Sequence, residues 1–181
     1  MAESPLRSHV KGIIKTHIRE GDYRLRGGLR SKFFVDCRSL AQDRIRRGSV
    51  LTYLGKAIID TYGLPYGWVL GGVALGGSLW SMLLSSGGES SYPLAFPAMV
   101  IDTQKALIHW REIRRPEATL ILDDVTTTGQ SLGWAVDLAQ EEGFGILGAF
   151  TLVDREEGAR EAMAAKGISL KALFTLGELL S

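Results

Sequence analysis

The sequence predicts an α/β fold in which a central, mostly parallel sheet is flanked by helices. Three observations carry that expectation. A strand, a glycine-rich turn and a helix follow one another twice, at residues 67–86 and again at 118–142. Both strand segments, GWVL and ATLILDD, are apolar without strict alternation, which suits strands covered on both faces. No repeat, low-complexity tract or linker interrupts the 181 residues, so one domain spanning 1–181 is expected, long enough to bury a real core.

The elements follow in order. Residues 6–20 place Leu6, Val10, Ile13, Ile14, His17 and Ile18 at helical spacing, and an amphipathic helix ending at Gly21 is expected. Residues 23–40, YRLRGGLRSKFFVDCRSL, carry aromatic and β-branched side chains split by Gly27 and Gly28, which predicts two short strands around a turn. Residues 44–63 repeat apolar side chains at Val50, Leu51, Leu54, Ala57 and Ile58 before Gly63, a second amphipathic helix. After Pro65 the strand GWVL leads through GGVALGG into the helix SLWSMLLSS, and SSGGESSY at 85–92 reads as a surface loop. ATLILDD then passes through VTTTGQ into a helix over 131–142, stopped by Gly143. A strand over 146–153, a short helix and the strand-like SLKALFTL complete the chain.

Composition excludes several classes. A 45% hydrophobic fraction without a glycine period rules out a disordered or collagen-like chain. A net charge of +1 supplies no basic field, so binding to nucleic acid is not expected and anion chemistry must come from local arrangement. Cys37 is the sole cysteine, and MAESPLRSHVKGIIK lacks the apolar core of a secretion signal, so a cytoplasmic protein is expected. No apolar run approaches the roughly 20 residues of a membrane span. His9 and His17 have no grouping at metal-ligand spacing. GFGILG at 143–148 matches a dinucleotide fingerprint in letters only, because a helix precedes it and a strand follows.

The most informative segment is TLILDDVTTTGQS, 119–131. An apolar strand ends in Asp123 and Asp124, beyond which ligands of parallel sheets bind. Thr126, Thr127, Thr128 and Ser131 offer hydroxyls, Gly129 lets the backbone approach a ligand closely, and the N-terminus of the helix that follows Gln130 attracts anions. These are the parts of a phosphomonoester cradle. The two acids cannot bind phosphate; they suit vicinal sugar hydroxyls or a metal, and their charge favours a cationic transition state. Capping alone accounts for one such residue, not for adjacent acids beside a hydroxyl-rich loop.

LILDDVTTTGQS resembles the phosphoribosyl-pyrophosphate (PRPP) motif of the type I phosphoribosyltransferases. It lacks the second Asp, at Val125, of hydrolases that use a strand-end Asp, and it lacks a Walker Gly-Lys-Ser/Thr. Three further segments narrow the resemblance to orotate phosphoribosyltransferase: LRGGLRSKFFVD at 25–36, VLGGVALGG at 69–77, and LVDREEGAREAMAAKGISLKALFTLGEL from residue 152 onward. The resemblance implies the type I fold with a small hood from about residues 1–40, transfer of phosphoribose from PRPP to orotate, and a homodimer. It also implies Mg²⁺ held mainly by substrate rather than by a protein metal site. It assigns PRPP contacts to Arg26, to the turn containing Gly72, Val73 and Ala74, and to Thr126, Thr127, Thr128, Gly129, Gln130 and Ser131. Orotate contacts fall on Phe33, Phe34, Thr127 and Arg155, and the catalytic set on Asp123, Asp124, Lys105 and His109.

One region departs from the family. Its catalytic loop reads roughly Arg-Lys-x-x-Lys-x-His-Gly; anchoring on His109 puts Thr103, Gln104 and Leu107 at the basic positions and Trp110 at the glycine. A shifted register lets Lys105 serve, with Arg111, Arg114 and Arg115 adding charge. Two other functions share the cradle: a PRPP-binding regulator without turnover, and a transferase for a different base.

Overall fold

The fold is that of a computed structural model, described here over residues 4–24, 30–87, 96–109 and 118–181, with the side chains of 107–109 excluded. The chain opens with helix α1 (Pro5–Lys15), started by Pro5 and by the Ser4 hydroxyl, which accepts the Arg7 N–H. It ends earlier than the apolar spacing predicts. The Thr16 hydroxyl donates back to the Ile13 carbonyl, and Ile18 pairs with Val35 in strand β1 (Ile18–Arg24). Ile18 satisfies both periodicities, and sheet pairing wins. Strand β2 (Arg30–Val35) closes this antiparallel pair, a two-stranded sheet separate from the main one. The end of the segment predicted as two strands, residues 37–40, instead belongs to helix α2 (Cys37–Gln42), because Asp36 Oδ1 accepts the Ser39 N–H and caps it.

Helix α3 (Arg47–Tyr62) stops at Gly63, whose φ is +79°. Next come strand β3 (Trp68–Val73), helix α4 (Gly76–Ser86), strand β4 (Ala98–Asp102), strand β5 (Leu107–His109) and strand β6 (Ala118–Thr126). Helix α5 (Gln130–Glu141), strand β7 (Gly145–Asp154), helix α6 (Ala159–Ala165), strand β8 (Leu170–Thr175) and helix α7 (Leu176–Leu180) complete the chain. The main sheet has the order β5-β4-β3-β6-β7-β8, parallel throughout except for β5, which runs antiparallel to β4.

Both faces of that sheet are covered, as its unbroken apolar strands require. Leu120, Leu122, Phe150 and Leu152 pack beneath α1, α3 and α4, while Ile121 and Ala149 meet α5 and α6 on the other face. Helix α4 lies so close to the sheet that its neighbours must be glycine. A Cβ at Gly77 would collide with the Leu122 carbonyl of β6, and one at Gly72 would stand 2.6 Å from Ser78 Cα. Arg7 fastens the two ends of the chain: it donates to the Tyr53 hydroxyl (3.1 Å) and the Leu173 carbonyl (3.2 Å), pairs with Glu178, and lies over the Phe174 ring. Among the described residues no helix is long and apolar enough to cross a membrane.

Candidate functional site

A cleft of ≈ 420 Å³ opens at the carboxyl ends of β3 and β6, beneath the β1–β2 pair. Strand β6 carries Asp123 and Asp124 into its floor, each 9% exposed. Asp123 Oδ1 accepts the Asp124 N–H at 2.9 Å, and the Asp124 carboxylate lies against Gly76, where a Cβ would strike it. Past the acids, Thr126, Thr127, Thr128, Gly129, Gln130 and Ser131 all line the cleft. Gly129 takes φ +79°, the left-handed conformation that favours glycine, and no side chain caps α5 behind it. Helix α4 also starts without a side-chain cap, at Leu75. Two helix N-termini that no side chain caps among the described residues therefore open on one cleft, a placement suited to two anionic groups. The Thr126 hydroxyl is buried and has no hydrogen-bond partner among the described residues.

The two phenylalanines face opposite ways, as successive strand residues do. Phe34 lines the cleft, its ring centroid 5.4 Å from that of Tyr23. Phe33, expected beside the base, instead packs its ring against the core, and only its backbone serves the site. Its carbonyl accepts from Arg155 at 2.9 Å, and the same guanidinium donates to Ser31 Oγ (2.5 Å) and to Glu157 (2.9 Å). Arg155 thereby ties the hood strand β2 to the end of β7 while still lining the cleft.

Other expectations need correcting. Gly72 is a packing residue inside β3, turned against α4; Val73 and Ala74, with Leu75 and Gly76, form the part of that turn lining the cleft. Lys105 is exposed on the turn between β4 and β5, 4.0 Å from Asp102, and does not line the cleft. Asp102 also accepts the Gln104 and Lys105 N–H groups, which fixes that turn. His109 stands on the edge strand β5, its backbone paired with Val100, rather than in a loop; its side chain, Arg26, Arg111, Arg114 and Arg115 lie outside the described residues.

The cleft also holds residues the sequence reading missed, Arg24, Asp36 and Arg38. The signal available for two of them was an acid and a base flanking Cys37 directly after a hood strand. No cluster of three potential metal ligands occurs among the described residues. Two carboxylates on one floor fit a Mg²⁺ ion that takes most of its ligands from a phosphorylated substrate.

No family model matches the chain. Orotate phosphoribosyltransferase of Methanopyrus kandleri is 32% identical over 165 residues, 90% of this chain and 84% of that one. The crystal structure of orotate phosphoribosyltransferase from Aeropyrum pernix superposes with a TM-score of 0.76 at 26% identity, covering 97% of this chain and 96% of that one. The Mycobacterium tuberculosis H37Rv enzyme in complex with PRPP shares the fold, with a TM-score of 0.76 at 24% identity over 98% of this chain and all of the other. An identity of that size over nine-tenths of the chain, carried on the same architecture, places the chain in the orotate phosphoribosyltransferase family.

Proposed function

We propose that the chain transfers the phosphoribosyl group of PRPP to orotate, giving orotidine 5'-monophosphate and pyrophosphate in pyrimidine nucleotide synthesis. The observation that carries the reading is the acid pair Asp123–Asp124 set between two uncapped helix N-termini in one cleft. The α5 terminus, with the hydroxyls of Thr126, Thr127, Thr128 and Ser131 and the backbone at Gly129 and Gln130, holds the 5-phosphate. The α4 terminus and the turn at Val73 and Ala74 receive the pyrophosphate. Asp123 and Asp124 hold the ribose hydroxyls between them.

In the transfer, the bond from the anomeric carbon to the pyrophosphate oxygen breaks and its electron pair leaves with pyrophosphate. Orotate N1 bonds to that carbon and gives its proton to water. The buried carboxylates stabilise the positive charge that develops on the sugar, and low local polarity strengthens the effect. Phe34 stacks the base, Thr127 supports it, and the remaining Nη1 N–H of Arg155 meets the orotate carboxylate. Mg²⁺, when bound, neutralises charge on the pyrophosphate. A homodimer in the cytoplasm completes the reading, which involves no nucleic acid.

Incubation with PRPP, Mg²⁺ and a panel of bases, following pyrophosphate release, tests it. Release that depends on orotate is expected. Release with another base alone would reassign the substrate, and PRPP binding without release for any base would favour a regulator. Asp124→Asn is expected to lower kcat by about a hundredfold or more; an unchanged rate would remove the site assignment.

A further inference from the structure

We propose that Arg38 is the cation that receives the pyrophosphate of PRPP, a charge supplied from α2 rather than from the β4–β5 region. The proposal rests on the transferase reading above. Departure of pyrophosphate leaves an extra negative charge on the oxygen released from the anomeric carbon, and that charge needs a donor already in place. The cleft wall and floor carry the acids Asp36, Asp123 and Asp124, so the need for a cation is acute.

Three arginines line the cleft among the described residues. Arg155 has its guanidinium engaged by Glu157, Ser31 and the Phe33 carbonyl, with 3% of its side chain exposed. Arg24 stands at the end of the hood strand β1. Arg38 differs from both. Its side chain is half exposed, and its Nε lies 4.0 Å from Asp124 Oδ2, the outer limit of an ion pair and too long for a hydrogen bond. Its backbone is firmly set, because Asp36 caps α2 and the neighbouring Cys37 is wholly buried. A fixed stem therefore carries a guanidinium whose pairing with Asp124 is long and half exposed. The carboxylate it faces also lies against Gly76, the first residue of α4, so Arg38 reaches the turn assigned to pyrophosphate. A planar fork of N–H donors suits phosphate oxygens, and moving onto them costs Arg38 only a long, partly solvated pairing.

The experiment compares the full chain with Arg38→Gln and Arg38→Lys. Calorimetric titration gives the affinities for magnesium pyrophosphate and for ribose 5-phosphate, and orotate-dependent release gives kcat. Arg38→Gln is expected to weaken pyrophosphate binding at least about tenfold and to lower kcat by about a hundredfold, with ribose 5-phosphate affinity unchanged. Arg38→Lys keeps the charge but not the fork and is expected to fall between the two; it carries the comparison should the Gln variant not fold. Pyrophosphate affinity equal to that of the parent in the folded variants overturns the proposal. So does an equal loss for ribose 5-phosphate, the mark of a residue that only shapes the cleft, or a parent that takes up no pyrophosphate. A parent that binds pyrophosphate through Arg38 but turns over no orotate would remove the transferase reading and leave Arg38 standing.

Discussion

Cys37 shows how much a site's surroundings decide about one residue. Burial pushes its thiol well above the ordinary value, and the carboxylates of Asp124, Asp36 and Asp123 push it further in the same direction. The nucleophilic thiolate is therefore scarce at neutral pH. Iodoacetamide is expected to leave the native protein unmodified and to alkylate Cys37 only after denaturation, with the mass of the intact chain as the measurement. Because the folded thiol ionises later than the unfolded one, its contribution to stability is present below the ordinary thiol pKa. That contribution is lost as pH rises through the folded value. Phe33 and Phe34 make the matching contrast between neighbours. Phe34→Ala is expected to raise the KM for orotate about fivefold with little change in melting temperature, since a lost stacking contact is worth about 1 kcal/mol. Phe33→Ala is expected to cost about 2 kcal/mol in urea denaturation, less than the roughly 3–5 of a fully buried ring.

At the scale of elements, the contact between α4 and the sheet is the most exacting. Gly77→Ala would drive a methyl group into the Leu122 carbonyl, which cannot yield without disturbing the β6–β7 ladder. A loss of about 3 kcal/mol is expected, measured by chemical denaturation. The same contact shows where sequence reasoning succeeds and where it stops. The strands and the cradle were legible because burial on both faces writes continuous apolar runs and because acids, hydroxyls and glycine abut in one short segment. The glycine-rich turn was legible as a turn, but composition does not say which glycine faces a ligand and which faces a helix; Gly71, Gly72 and Gly77 all prove to be packing positions. Strand β4 is short, and β5 is shorter still, so neither offers enough alternation to register. Arg38 was hidden for a different reason. Its partner Asp124 lies far away in sequence, and only the docking of α2 beside α4 and β6 joins them.

At the scale of the molecule, one side chain draws the first and last helices together with the elements between them. Arg7 gathers α1, α3, β8 and α7 through Tyr53, Leu173 and Glu178, and Glu178 is itself the second half of a capping box with Thr175. Arg7→Ala is expected to lower stability by about 2 kcal/mol, because the partly buried Glu178 loses its counter-charge as well as a hydrogen bond. Kinetic constants should be unaffected, since none of these residues lines the cleft. The order of the sheet has a larger consequence. Strands β3 and β6 are neighbours at its centre, yet the chain between them travels out through α4, β4 and β5 before it returns. That excursion leaves and re-enters the sheet at adjacent places. The two ligand-bearing strand ends are held in register by their own pairing, Gly71 with Ile121 and Gly72 with Leu122, and not by the segment between them. A change at the far end of that excursion therefore leaves the floor of the cleft, built on the ends of β3 and β6, where it is.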